Sequence, residues 1–528
     1  MQDTLEKKIT QNKENYRLKE EHDFYTLKSR NGDLTTIQIK KASIVDKLKK
    51  EYFYRYDIDT ETSVYIHIVN NMVDIVNKEL LVDRFMRYIE TLSDFEHKII
   101  HRDKDGTETK IPFKVTSELI RVSLMENIGE YFSKNLLNRL TPDMPILFHK
   151  DTKTSKHLYF KDNFIEVDAN GYEVRDYSEL SGFIWSNQRL SRNFKFVQEP
   201  GNFEKFIENV CNNDADRIKA LKTVIGYLIH GYFDTKLYAV IFTDERFSDS
   251  DEPCGRTGKT LLCKAIGHIM NANKLSTVYT EINGKNFVPN DKHRYGDCNA
   301  DTSLVCINDL SRNIPFETFF NDITENITVD KKNEKPFRIQ SKLIISTNRT
   351  IKIYGDSAID RSCVFEFSDY YNKDRSPFQE YKQWFFTDDW TPDEWNRFDS
   401  FMVKCIIEYF QNGLIKPKLI NFHRRTLIEH TSQEFVEWMD DIVKNRIIKS
   451  SDDITPDVAF KPGDEIQKKD LYISFTGTYQ DYKQLKQKTF TKWLKQYSRE
   501  SKEIQEIKKE LGTEGRSNNK DYIKIIYK

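Results

Sequence analysis

The sequence predicts a multidomain α/β and α protein whose core is a parallel sheet carrying a phosphate-binding loop, and three observations predict it. The first is Pro253-Cys254-Gly255-Arg256-Thr257-Gly258-Lys259-Thr260. Gly255 and Gly258 let the backbone turn tightly and aim N–H groups at a polyphosphate, Lys259 brings a cation to the β- and γ-phosphates from an exposed loop, and the Thr260 hydroxyl can hold Mg²⁺. The second is the setting of that loop. Residues 237–243 (LYAVIFT) form a continuous apolar run of buried-strand length, and residues 261–267 continue beyond the loop with helical spacing. The third is a pair of further apolar runs, 304–307 and 342–347, that end in Asn308-Asp309 and Asn348. Strands that each deliver a polar residue at the carboxyl end mark a parallel sheet with its ligand at that edge. Asp309 is placed to reach Mg²⁺ or polarise a water, and Asn348 to sense a γ-phosphate or the attacking water. One position departs from the pattern G-x-x-x-x-G-K-[ST], which has glycine where this chain has Pro253.

These motifs, with residues 327–337 (ITVDKKNEKPF) and 360–368 (DRSCVFEFS) after them, resemble in order and spacing the motifs of superfamily 3 helicases. The nearest likeness is the helicase half of phage, plasmid and poxvirus-type primase-helicases. The resemblance implies an AAA+-like ATPase core and a ring-forming DNA helicase that uses ATP and Mg²⁺ to move 3′ to 5′ along single-stranded DNA. It also implies a homo-oligomer of hexamer type with ATP sites between protomers, forked or origin DNA and a separate primase as partners, and a cytoplasmic place in a bacterial or virus-infected cell. Lys259 and Thr260 match the phosphate-loop pair, Asp309 an acid of the second motif, Asn348 the polar sensor, and Arg361 the arginine that reaches a neighbouring subunit's nucleotide. Asn308 departs from the family, whose members commonly carry two adjacent acids there. An amide neither acts as a base nor supplies the same charge to Mg²⁺.

Between the second and third motifs, 328–329 and 337–339 are short β-favourable pieces around a tip that carries Lys331, Lys332 and Lys335. This predicts a hairpin presenting cations. The resemblance implies that it lines the ring's channel and grips single-stranded DNA through its phosphates; the plain alternative is a solvated lysine turn. Residues 461–528 carry 16 Lys/Arg against 10 Asp/Glu, a local surplus of six in a chain whose net charge is −1. Helical stretches at 468–475 and 489–497, the second capped by Thr489, and an alternating strand at 521–527 suggest a winged helix, with Lys492 and Lys495 facing outward toward DNA.

A chain of 528 residues is too long for one core. The expected division is 1–150, a mainly helical domain of unread role; 151–234, a hairpin and helical collar; 235–370, the motor; 371–455, a helical lid or connector; and 456–528, the winged helix. Helical spacing recurs over 63–92 and again over 117–140, around a polar turn at 102–106, and the 158–167 run reads as one hairpin arm closed at 168–171. The stretch 203–230 reads as helix, with Leu180, Trp185, Ile207, Leu221, Ile225 and Leu228 as core or subunit contacts. Near-zero net charge excludes a uniformly basic nucleic-acid binder, so any DNA contact comes from local patches. Seven cysteines without a C-x-x-C pair argue against a disulfide framework or zinc ribbon. With no run of membrane-spanning length, a soluble intracellular protein is expected. Two other readings stay open at this level: an origin-binding or scaffold ATPase in which nucleotide switches assembly, and a nucleic-acid-sensing defence ATPase.

Overall fold

The computed structural model describes residues 22–30, 33–58, 63–102, 108–245, 256–270, 278–310, 314–349, 351, 353, 355–449, 457–461, 464–500, 504–508 and 522–527. Its centre is a parallel sheet of β1 (Ala239–Asp244), β2 (Tyr279–Asn283), β3 (Leu304–Asn308), β4 (Lys342–Ser346) and β5 (Ser362–Phe367), in the spatial order β2-β3-β4-β1-β5. Val240 lies opposite Ile344 on one side and Cys363 on the other, and Cys306 lies between Glu281 and Ile344. The strands expected from the three apolar runs are therefore present, and they are parallel neighbours.

These strands are apolar throughout because both faces are covered, and alternate residues feed two different cores. Val240, Phe242, Cys306, Ile344 and Phe365 pack with the helices Asn202–Val210, Ala215–Ile229, Lys259–Met270 and Pro392–Asn412. Ala239, Ile241, Val305, Ile307, Ile345 and Val364 pack with Phe316, Phe319, Ile323 and the side chains of the Ile327–Val329 and Phe337–Ile339 hairpin. The long Pro392–Asn412 helix is specified at both ends. Thr391 caps the Glu394 N–H, Pro392 sits where its missing N–H costs nothing, and Gly413 at φ 68° ends it. At the amino-terminal edge of the sheet Lys342 is buried, its Nζ donating to the carbonyls of Tyr227 (2.6 Å) and His230. Burial pulls this lysine's pKa down to about 7.

The N-terminal region corrects the mainly helical expectation. Residues 63–92 are a hairpin, Ser63–Val69 with Met72–Val76, followed by the helix Lys78–Glu90. The run 64–69 is apolar enough to satisfy either period, and the turn decides between them. Asn70 and Asn71, at φ 49° and 63°, form the two-residue loop whose twist matches paired strands. Further hairpins pair Tyr25–Arg30 with Asp33–Ile39 and Phe95–Arg102 with Glu108–Val115. The helix expected over 117–140 is Ser117–Glu126 with two short helices after it. Most of the polar turn at 102–106 lies outside the described residues.

The single arm expected at 158–167 is two strands, Lys156–Tyr159 and Phe164–Asp168, joined by a turn in which the Phe160 N–H donates to the Asn163 carbonyl; Gly171–Arg175 completes the meander. The stretch 203–230 breaks at Asp214, which caps the second helix. Leu180, Ile207, Leu221, Ile225 and Leu228 are buried and Trp185 is half-buried. At the C-terminal end come the helices Lys468–Thr478 and Gln487–Glu500. An antiparallel sheet accompanies them, with Tyr522–Tyr527 between Glu465–Gln467 and Ile504–Lys508. Thr489 sits inside the second helix rather than capping it, because that helix begins two residues earlier. Among the described residues no helix is long and apolar enough to cross a membrane, and the six described cysteines are all buried thiols.

Candidate functional site

The carboxyl edge of the sheet opens into a cavity of about 480 Å³, within the usual range for a small-molecule site. Residues 256–261 form one wall, Asn308, Asp309, Ser346 and Asn348 the floor, and Phe378, Gln383 and Trp384 the far side. The structure thus brings Gly258, Lys259, Thr260, Asp309 and Asn348 together from loops that follow β1, β3 and β4. Gly255, like Pro253, lies outside the described residues.

Each position has a local cause. Gly258 sits at φ 105°, and a Cβ there would stand 2.6 Å from the Phe206 ring, so only glycine fits. Lys259 is not exposed, as the loop reading predicts, but 6 % accessible. Its ammonium donates to the Asp244 carboxylate at the end of β1 and lies 3.2 Å from Thr257 Oγ1, which also donates to Asp244. The lysine closes the first helical turn over the sheet instead of hanging free, which orients it before any anion arrives. Asn348 is presented by Thr347, whose N–H donates to the Phe242 carbonyl (3.0 Å) and whose hydroxyl donates to the Leu310 carbonyl (2.9 Å).

Thr260 Oγ1 donates to Asn308 Oδ1 at 3.4 Å, and Asn308 Nδ2 donates to Glu281 Oε1 at 2.8 Å. Asp309 follows in the left-handed region, φ 60°, a conformation that aspartate tolerates better than most residues, and its carboxylate pairs with Lys285 at 3.0 Å. Among the described residues no cluster of three metal-ligating side chains exists.

Arg361 does not line this cavity. It ends the helix Gly355–Arg361, donates to the Ser357 carbonyl (3.0 Å), and lies over the Phe320 ring. The hairpin is formed as expected, and its tip faces a second cavity of about 1030 Å³ lined by Lys331 and Lys335 with Arg55, Lys134 and Trp185 from earlier segments. Asp74, Asp301 and Glu334 share that cleft, and Lys331 donates to Asn299. Lys332 is exposed at the tip. Lys492 and Lys495 are exposed on the Gln487–Glu500 helix, opposite the buried Phe490, Leu494 and Tyr497.

Sequence reasoning missed Asp244, Glu281, Lys285, Phe378 and Trp384. Asp244 had a signal, since it ends the apolar run that precedes the loop. Phe378 and Trp384 had none. Their rings stack at 4.4 Å and 22°, 38 % and 60 % exposed, which leaves an aromatic surface at the cavity mouth.

No protein-family model matches the chain, and no curated protein matches it in sequence. Among solved structures, two apo forms of the NrS-1 C-terminal region are similar at 14 % identity, covering 92 % of this chain and 99 % of theirs, with TM-scores of 0.43 and 0.44. A JCV helicase bound to a small molecule is similar at 10 % identity over 46 % of this chain and 64 % of its own, with a TM-score of 0.23.

Proposed function

We propose that this protein is an ATP-dependent, ring-forming DNA helicase that translocates on single-stranded DNA in the replication of a phage, plasmid or other mobile element. One observation carries the reading: Gly258, Lys259 and Thr260 meet Asn308, Asp309 and Asn348 in one cavity at the carboxyl edge of a parallel sheet. In this reading the triphosphate lies along residues 256–260, where the Lys259 ammonium meets its charge, and the exposed faces of Phe378 and Trp384 offer a stacking surface for the base. Mg²⁺, held by Thr260 and Asp309 together with phosphate oxygens, would supply charge neutralisation at the transferred phosphoryl group. Asp309 accepts the proton of the attacking water, and Asn348 orients that water against the phosphate.

The proposed DNA contacts are the hairpin lysines Lys331, Lys332 and Lys335, and Lys492 and Lys495 on a C-terminal unit whose helices and antiparallel strands we read as a winged helix. The division into N-terminal region, collar, motor, lid and winged helix at 150, 234, 370 and 455 belongs to the same proposal, as does assembly into a hexamer-like ring. An assembly scaffold is the second reading. Asn308 in place of an acid and the Lys285 partner of Asp309 are the observations that favour it.

ATP turnover with and without single-stranded DNA tests the choice. A helicase is expected to be stimulated by the single strand and to open a forked duplex. Replacing Lys331, Lys332 and Lys335 with alanine should then cut both effects about tenfold and flatten the log–log salt dependence of single-strand binding by about 2, at ~0.7 per lost phosphate contact. Wild-type protein that is neither stimulated by the single strand nor able to open the fork would replace the helicase reading with the scaffold. Unchanged stimulation and unwinding in the triple variant would instead remove the three lysines from the DNA path.

A further inference from the structure

Position 308 poses a chemical problem. A divalent ion at Thr260 needs negative charge from the adjoining strand end, and the residue there is a neutral amide. The neighbouring strand carries a carboxylate that answers the problem. Along β2, residues alternate between the two faces of the sheet. Tyr279 belongs to the core on the side of the Lys259–Met270 helix, and Ile282 to the core on the other side. Tyr279 packs under that helix at Gly267, where an added Cβ would come within 3.1 Å of its ring. Glu281 is two residues further toward the carboxyl edge on the same face, which brings it along the helix toward its first turn, where Thr260 is.

The hydrogen bonds agree with this placement. Asn308 Nδ2 donates to Glu281 Oε1 at 2.8 Å, so Asn308 Oδ1 is turned to Thr260, whose hydroxyl donates to it at 3.4 Å. Glu281 thereby determines which end of the amide faces the candidate cation position. Its own side chain is exposed, so its charge needs no compensation from the fold. Asp309, the proposed cation ligand, has its charge partly offset by Lys285 at 3.0 Å, so the Glu281 carboxylate adds to it rather than duplicating it.

Resting on the nucleotide-site reading above, we propose that Glu281 is the positioning residue that replaces the missing acid. It aims the Asn308 amide oxygen at the cation that accompanies the nucleotide, and it supplies the negative charge that position 308 lacks. The pair Glu281 and Asn308 then does, from two adjacent strands, what a single carboxylate on β3 does alone.

Glu281→Gln separates charge from geometry, because its amide oxygen still accepts from Asn308 Nδ2. The test measures Mn²⁺ binding by paramagnetic resonance in the presence of ADP, on the full chain, for wild type, Glu281→Gln and the double variant Glu281→Gln/Asn308→Asp. Nucleotide binding in chelator and melting temperature are read alongside. Glu281→Gln is expected to weaken Mn²⁺ about tenfold while chelator-measured ADP binding and melting stay unchanged, and the double variant is expected to return within about threefold of wild type, since it moves the carboxylate one strand over. Wild-type Mn²⁺ affinity in Glu281→Gln overturns the inference, and so does a loss that Asn308→Asp does not repair. If wild-type protein binds no ADP even in chelator, the nucleotide-site reading falls and takes Glu281 with it. ADP binding with an inert Glu281→Gln removes the Glu281 role alone.

Discussion

Lys259→Ala is expected to lower nucleotide turnover about a hundredfold or more, and also to cost stability, by about 2–4 kcal/mol. The first effect follows from removing Lys259, the one lysine among the described residues that lines the cavity. The second follows from where the ammonium sits: 6 % exposed, hydrogen-bonded to the 1 % exposed carboxylate of Asp244. Taking away the cation leaves a buried negative charge with the Thr257 hydroxyl but without its ion partner. Removing both charges separates the two effects. Asp244→Asn/Lys259→Ala should recover most of the lost stability, because an amide in place of Asp244 still accepts from Thr257, while turnover stays lost. Thermal melting and steady-state ATPase on the three proteins check this. Recovery of turnover in the double variant would show that Lys259 acts only as a counter-ion for Asp244, and the phosphate site would have to be sought elsewhere.

The central sheet was legible because a parallel strand covered on both faces must be apolar along its length, so 237–243, 304–307 and 342–347 stood out without any knowledge of their partners. β2 did not stand out. It is an edge strand with Thr280, Glu281 and Asn283 among five residues, too polar to separate from a loop, and Glu281 went unnoticed with it. The N-terminal hairpin failed differently. Val64, Ile66 and Ile68 fit the two-residue period of a strand, but Val69, Met72 and Val73 fill the helical positions as well. Only the Asn70-Asn71 turn distinguishes the two, and apolar spacing does not register it. Burial was hardest to foresee at Lys259. The loop pattern states which residue contacts phosphate, whereas the acid that holds it in place comes from 15 positions earlier, at the end of the preceding strand. Trp384 and Phe378 form part of the cavity because the segment after β5 folds back over the loop, a long-range contact that no local pattern contains.

Arg361→Ala is expected to depress ATPase activity about a thousandfold, the scale on which an arginine supplied to a phosphoryl-transfer site acts, while ATP binding to isolated subunits is retained. The geometry sets up this separation. Arg361 lies at the end of the Gly355–Arg361 helix, held by the Ser357 carbonyl and the Phe320 ring, and it has no place on the wall of the cavity that contains Lys259. In the proposed ring it serves the next protomer's nucleotide, so each site joins one subunit's lysine to its neighbour's arginine. Mixing Arg361→Ala protein with the Asp244→Asn/Lys259→Ala protein in equal amounts then places an intact pair at about a quarter of the interfaces of a head-to-tail ring. ATPase activity should rise from near zero to a comparable fraction of wild type, and dilution below the assembly concentration should abolish the recovery. A mixture that co-assembles by light scattering yet stays inactive would count against an arginine acting in trans and leave Arg361 with its contacts to Ser357 and Phe320 in its own chain.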